Sequence, residues 1–300
     1  MPRIPVHGVL LLDKSLGWSS HAALGRAKWL LNAAKAGHTG TLDPLASGLL
    51  PVCLGEATKF ASDLLDADKT YAATVRLGET TTTGDAEGEV LERRPVQVAP
   101  SELEAVLAEF RGAILQIPPM YSALKRAGRP LYEYARAGVT LERAARPVTI
   151  HALELRRLGR TEIDIEVRCS KGTYIRTLAE DIGRALGTGA HLRALRRTAV
   201  GALTLDAAVS LEALEAVSAA RRTECLLPVD ALVQDLTPLA LGAEEAARWA
   251  CGQTLELEPR ADAARVRVYV QSVVPGQFMG VGEVSAAGRL RPLRVMASRP

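Results

Sequence analysis

The sequence predicts an α+β protein, with a large domain of catalytic size and a small C-terminal β module. Three observations carry that expectation. Of the 300 residues, 48% are hydrophobic, enough to bury a full-sized core and leave room for a second, smaller one. Strand-like and helix-like stretches are mixed along the chain, with long excursions between them. Beyond "LLPVDALVQDLTPL" the pattern changes to short alternating strands around Gly276, Gly280, Gly282 and Gly288, as in a small β-barrel. The domain boundary is placed there, giving 1–232 and 233–300.

The elements follow in order. "GVLLLDK" is a buried strand, and "SSHAALGRAKWLLNAA" a helix capped by Ser19 or Ser20. "ATKFASDLLDADK" is helical, "TYAATVRLG" is a strand, and "TTTGDAEGEVLERR" turns back through Gly84, Asp85 and Gly88 as a hairpin would. "SELEAVLAEFRG" opens with a capping box formed by Ser101 and Glu104. From Pro118 to Pro147 a basic segment rich in Gly and Tyr stands between prolines as an inserted excursion. "VTIHALELRRL" and "TEIDIEVRCS" are paired strands, the helix "GTYIRTLAEDIGRALG" follows, and Leu211 to Arg222 is helical and Ala-rich.

Composition removes several function classes. Cys53, Cys169, Cys225 and Cys251 are too far apart to form a metal-binding pattern, so reduced thiols are expected. No apolar run reaches the length of a membrane span, and the first one ends at Asp13, too short for a secretory signal. A soluble cytoplasmic protein is expected. No P-loop, dinucleotide fingerprint or metal-ligand helix is present, so neither cofactor nor metal is expected. The net charge of +3 hides a strong asymmetry. Arg111 to Arg146 and Arg168 to Arg197 each carry seven basic residues against two acidic ones, whereas Asp206 to Arg265 carries five against eleven. Two basic blocks beside an acidic connector fit a molecule whose basic side meets nucleic acid; the other reading is a solvated charged face.

The stretch "GHTGTLDPLASGLL" poses the chemical question. Asp43 followed by Pro44 is a standard helix start, with the carboxylate capping free N–H groups. Gly37, Gly40 and Gly48 leave a backbone path a ligand can approach, and there Asp43 can instead serve as nucleophile or base. In "CSKGTYIRTLAEDIG", Tyr174 and Arg176 alternate at the end of a predicted strand and would share a surface. The alternative is a half-buried Tyr174 and an Arg176 paired with Glu180. Tyr71 read alone is a core residue, and His38 between glycines caps a turn. Arg196 and Arg197 suit either phosphate contact or solvation. Lys14 and Lys59 carry little signal in isolation.

Taken together, "GVLLLDKSLGWSS", "AGHTGTLDPLASGLLPVCLGEATKF", "DKTYAATVRLG", "MYSALKRAGRPLYEYARAG" and "CSKGTYIRTLAEDIG" closely resemble the bacterial tRNA pseudouridine synthases of the TruB family. The likeness spans roughly Gly8 to Val200 in the family's order. It implies a mixed, mainly antiparallel sheet of pseudouridine-synthase type, and isomerisation of uridine 55 in the T-loop of tRNA to pseudouridine. By motif, Asp43 is then the catalytic carboxylate and Arg176 its ion-pair partner. Tyr71 is the ring held against the target base, Tyr174 and Leu195 line the pocket, and His38 is similar to the residue that fills the space opened in the RNA. The excursion from about Pro118 to Pro147 resembles the family's RNA-gripping insertion, and "GQFMGVGEVSAAGRLRPLRV" is similar to a PUA domain, a small RNA-binding barrel. The implied partner is the T-stem-loop of tRNA, bound by a monomer with no obligatory protein partner. Two departures stand out: Thr82 takes a position that is often acidic in the family, with Asp85 kept, and His21 stands where a short acidic or amide side chain is common.

The residue types suit the chemistry. Pseudouridine formation breaks the N1–C1′ bond, turns the uracil and forms a C5–C1′ bond, with no redox change and no second substrate. A carboxylate beside the sugar or base is needed, as in other glycosyl chemistry. Asp43 can add to C6, attack C1′ or act as a base at C2′, and the sequence leaves all three open. The base must leave its stack, which rings and an inserted side chain make affordable. A non-catalytic tRNA-binding protein using the same cleft is the competing expectation.

Overall fold

The computed structural model describes residues 2–259, 263–271 and 276–297. A nine-stranded sheet dominates the larger part of the chain. Its strands are β1 (Gly8–Lys14), β2 (Ala36–His38), β3 (Ala46–Leu54), β4 (Lys69–Leu77), β5 (Gly112–Gln116), β6 (Arg146–Leu158), β7 (Glu162–Cys169), β8 (Ala190–Val200) and β9 (Leu203–Thr204). The order across the sheet is β1-β3-β8-β4-β7-β6-β5, with β2 on β3 and β9 on β8. Every pairing is antiparallel except β3 with β8, so the sheet is mixed and mainly antiparallel.

Apolar helix faces cover this sheet. Helix α1 (Ser20–Leu30) packs Ala23, Ala27 and Leu30 against β1 and β3. Helices α2 (Pro100–Glu109) and α3 (Ile175–Ala185) place Leu103, Leu107, Leu178 and Ile182 on β4, β6 and β7. Tyr71 and Leu195 touch both of these cores, so the seam between them lies at the centre of the sheet. At that seam Leu195 of β8 stands opposite Ala73 and Ala46, and Arg197 opposite Tyr71 and Gly48. Gly48 has φ +99°, and a Cβ there would run into the Arg197 carbonyl oxygen, so the parallel β3–β8 contact needs a glycine.

Local signals are settled or shifted in three places. Ser19 caps α1 by accepting the Ala22 N–H at 3.1 Å, which leaves Ser20 for another task. Helix α2 begins at Pro100, ahead of the Ser101–Glu104 capping box read from the sequence. Proline favours the first helical position and has no N–H to satisfy, so the start slips back, and Glu102 accepts the Ala99 N–H at 3.4 Å. Glu104 pairs instead with Arg111 at 2.8 Å. The segment "ATKFASDLLDADK" forms a 3₁₀ turn (Gly55–Lys59) and a short helix (Ala61–Asp66), and the expected hairpin forms between Glu79–Thr81 and Val90–Arg93.

Between β5 and β6 the basic excursion holds a small hairpin, Lys125–Arg126 against Arg129–Pro130, and a helix of six residues, Leu131–Arg136. The C-terminal part is a five-stranded sheet of β10 (Thr237–Leu241), β11 (Leu255–Glu256), β12 (Ala264–Val270), β13 (Gln277–Val284) and β14 (Arg289–Val295), in the order β10-β12-β13-β14-β11. It encloses the fully buried Trp249 of helix α4 (Ala243–Ala250). It also docks on the large sheet through a shared core containing Val9, Phe60, Val233 and Val281, with the Phe60 and Phe278 rings 5.4 Å apart. The expected break near "LLPVDALVQDLTPL" is thus a packed segment, with Val229, Leu232 and Val233 buried.

Candidate active site

Asp43 does not start a helix. Residues 43–46 make a tight turn into β3, in which Asp43 O accepts the Ala46 N–H at 3.0 Å and Pro44 supplies a preset φ. The loop before it is clamped from beneath. The Ser20 hydroxyl, 2% exposed, accepts the Leu42 N–H at 2.7 Å and donates to Leu42 O at 2.8 Å. The backbone is therefore held while the carboxylate stays free to face a ligand.

That carboxylate meets Arg176, with Nη2 2.9 Å from Oδ2. The two groups differ sharply in exposure: the Asp43 side chain is 50% exposed and the Arg176 side chain 9%. Arg176 also donates to Tyr121 O at 2.6 Å and Thr83 O at 3.3 Å, and its Nη1 lies 3.5 Å from the buried Asp85 carboxylate. Asp85 is fixed in turn by the Thr83 hydroxyl at 2.5 Å and the Glu87 N–H at 3.1 Å. The sequence alternative, Arg176 with Glu180, does not form; the Glu180 carboxyl rests against Gly84, and burial pushes its pKa up. Nor do Tyr174 and Arg176 share a strand. Strand β7 ends at Cys169, Tyr174 is the N-cap of α3, and Arg176 is its second residue. Gln116 fixes this corner by accepting the Tyr174 N–H at 3.0 Å and donating to Tyr174 O at 3.3 Å.

Asp43, Tyr71, Tyr174, Arg176 and Leu195 line one cavity of about 290 Å³, closed on the insertion side by Ser122 and Ala123. Burial raises the phenol pKa of both Tyr71 and Tyr174, so both rings carry neutral hydroxyls. His38 lies outside that wall, on β2 opposite Val52 and five positions before Asp43. Its Nδ1 is buried without a partner among the described residues, and burial, with Arg197 and His21 adding to it, lowers its pKa. Of the two departures, Thr82 accepts the Glu89 N–H at 3.1 Å inside the hairpin, and His21 is exposed on α1.

The roles of the basic side chains in and around the site were not legible in the sequence. Arg197, read there as a phosphate contact or a solvated residue, is 1% exposed and donates to Leu49 O at 2.8 Å and Gly40 O at 3.2 Å. Arg196 pairs with Asp13 at 2.7 Å. Lys14 is fully buried, and its Nζ donates to Trp18 O at 2.7 Å and Ser15 O at 3.1 Å. Burial pushes its pKa down to about 8, against the opposing pull of Asp43. Lys69, also buried, gives its ammonium to the carbonyls of Leu65 at 2.7 Å and Ala67 at 2.6 Å. One signal was available: Lys69 lies two positions from Tyr71, and Arg197 two from Leu195, spacings that put each pair on one strand face.

Comparison with known proteins places nearly the whole chain. Residues 28–175 match the TruB family pseudouridylate synthase N-terminal domain, 176–234 the tRNA pseudouridylate synthase B C-terminal domain, and 237–296 the C-terminal domain of pseudouridine synthase II TruB. The chain is 59% identical over 304 residues to tRNA pseudouridine synthase B of Ralstonia nicotianae, covering 98% of this chain and 96% of that one. It is 56% identical over 295 residues to the protein of the same name from Chromobacterium violaceum, with the same coverage. A protein chain of an H/ACA ribonucleoprotein bound to a substrate RNA containing 2′-deoxyuridine superposes with a TM-score of 0.75 at 25% identity, covering 98% of this chain and 86% of that one. A chain of the archaeal box H/ACA Nop10-Cbf5 complex gives 0.73, also at 25% identity, with 97% and 86% covered. Matched over nearly its whole length, the chain belongs to the TruB family of pseudouridine synthases.

Proposed function

We infer that this protein isomerises uridine to pseudouridine in tRNA, with uridine 55 of the T-loop as its target and Asp43 as the catalytic carboxylate. The observation that carries this reading is the half-exposed Asp43 carboxylate, aimed into a cavity of about 290 Å³ and ion-paired to a buried Arg176. A cavity that small takes one extruded nucleotide rather than a paired stem. Tyr71 and Tyr174 offer ring faces to the flipped base, Leu195 closes the apolar side, and His38 fills the vacated stack. The Asp43–Arg176 pair keeps an anion beside the sugar, where it can act at C6, C1′ or C2′.

The insertion, about 118–147, grips the T-stem-loop. Its root is already bound to the site, since Tyr121 O accepts from Arg176 and Ser122 and Ala123 close the cavity. Residues 233–300 form a second RNA-binding module, and two domain matches meet between 234 and 237. The protein works as a monomer on the T-stem-loop. Binding without turnover is the weaker reading, because a carboxylate at the cavity mouth repels phosphate and serves chemistry better than grip.

The test is to incubate the protein with an unmodified tRNA transcript and map pseudouridine along it. Modification confined to position 55, absent with Asp43→Asn, is expected. Tight tRNA binding with no pseudouridine in any transcript would favour the non-catalytic reading instead.

A further inference from the structure

We propose that Arg197 is a positioning residue for the isomerisation, whose single guanidinium holds the Asp43 loop and the Tyr71 ring in fixed register across the cavity. The proposal rests on the roles inferred above for Asp43 and Tyr71.

Burying an arginine is costly unless its charge is paired or its donors are satisfied. Arg197 is 1% exposed, and among the described residues no carboxylate forms an ion pair with it. Its donors go to neutral acceptors only. Nε–H reaches Leu49 O on β3 at 2.8 Å and Nη2 reaches Gly40 O at 3.2 Å, while Tyr71 stands directly opposite on β4. An apolar side chain such as that of Leu195, two positions earlier on the same face, would fill this place in the sheet without a charge to bury. What an arginine adds is a planar fork that joins β3 and the Gly40 turn at once beside the cross-strand Tyr71, a geometry an ammonium cannot reproduce.

These segments are the ones the site depends on. Gly40 has φ +101°, a pivot from which the backbone runs to Leu42 and Asp43. Ser20 pins the far end of that run at Leu42, and Arg197 pins the near end at Gly40. Tyr71 stands directly across the sheet from Arg197 in the β4–β8 register. A shift of the guanidinium would therefore move the carboxylate loop and the ring relative to each other, while every group that touches RNA from the surface stays in place.

The experiment uses the full-length chain and a tRNA transcript, comparing Arg197→Lys with wild type in single-turnover rate, tRNA affinity and thermal midpoint. The expected result is affinity within about twofold and a rate lowered about 10- to 100-fold, the scale of an ångström-level misplacement of reacting groups. A lowered midpoint with an unchanged rate well below that midpoint would overturn the proposal, making Arg197 a fold residue only. If Arg197→Lys does not fold, Arg197→Gln, which keeps a donor for one of the two carbonyls without a buried charge, is measured in its place and judged by the same outcomes. Asp43→Asn runs beside these, since activity surviving there would sink the site reading itself rather than the role of Arg197.

Discussion

Asp43→Asn and Arg176→Met should stop the same reaction at very different cost to the fold. The two side chains share one ion pair at 2.9 Å, yet their surroundings are unequal. Asp43 is half in solvent, and its loop is held by backbone and by Ser20, so losing its charge should cost about 0–1 kcal/mol, as for exposed pairs. Arg176 is buried, donates to three acceptors and lies 3.5 Å from the Asp85 carboxylate. Removing it leaves Asp85, whose side chain is 5% exposed, without a counter-ion. A buried pair broken from one side costs about 3–5 kcal/mol. The carbonyls of Tyr121 and Thr83 lose donors as well, and because these losses are coupled they do not simply add. Urea unfolding of the three proteins should therefore show Asp43→Asn near wild type and Arg176→Met lower by about 4 kcal/mol. Both should lose pseudouridine formation by at least about 10³-fold. A destabilisation above about 2 kcal/mol in Asp43→Asn, or below about 1 kcal/mol in Arg176→Met, would refute the burial argument.

Further outcomes follow from the same contacts. The Lys14 ammonium releases its proton near pH 8 in the folded chain and near 10.5 in the unfolded one. Between those values the unfolded state binds more protons, so this lysine makes stability rise with pH, and urea midpoints of Lys14→Met should lack that rise. An identical pH dependence in the variant would contradict the buried position of the ammonium. Phe278, packed at a tilt between Phe60 at 5.4 Å and Tyr269 at 5.5 Å, ties the C-terminal sheet to the large one. Phe278→Ala should cost about 2 kcal/mol and open the 226–236 segment to protease, whereas protection equal to wild type would argue against that tie. Affinity for tRNA should fall steeply between about 50 and 200 mM salt, measured by filter binding. A flat response would mean that the two basic blocks do not face RNA.

The reading of "GHTGTLDPLASGLL" shows where sequence reasoning stopped. Asp–Pro is as good a turn opener as a helix opener, and the following residues' pairing with β8 and β1 drew the chain into a strand instead. Arg176 illustrates a second limit. Glu180 is its neighbour one helical turn on, visible in any local window, while Asp43 lies 133 positions away. Local spacing favoured the partner that does not form. Arg197 illustrates a third limit, because a run of charged residues looks alike whether it is solvated or pressed beneath a sheet.

By itself the sequence determined the α+β class, most strand positions, the inserted basic segment, the C-terminal module and, through its ordered motifs, the family. These are carried by periodicity, turn residues and local runs, each of which acts within a few residues of chain. Tertiary structure alone decided which cations are buried, that Asp85 backs Arg176, that His38 stands outside the cavity, and that Ser20 and Arg197 hold the loop of Asp43. Those facts depend on the β3–β8–β4 register, which brings residues over a hundred positions apart within hydrogen-bond reach. Burial and long-range partners are properties of the packed sheet, and no local pattern in the chain encodes them.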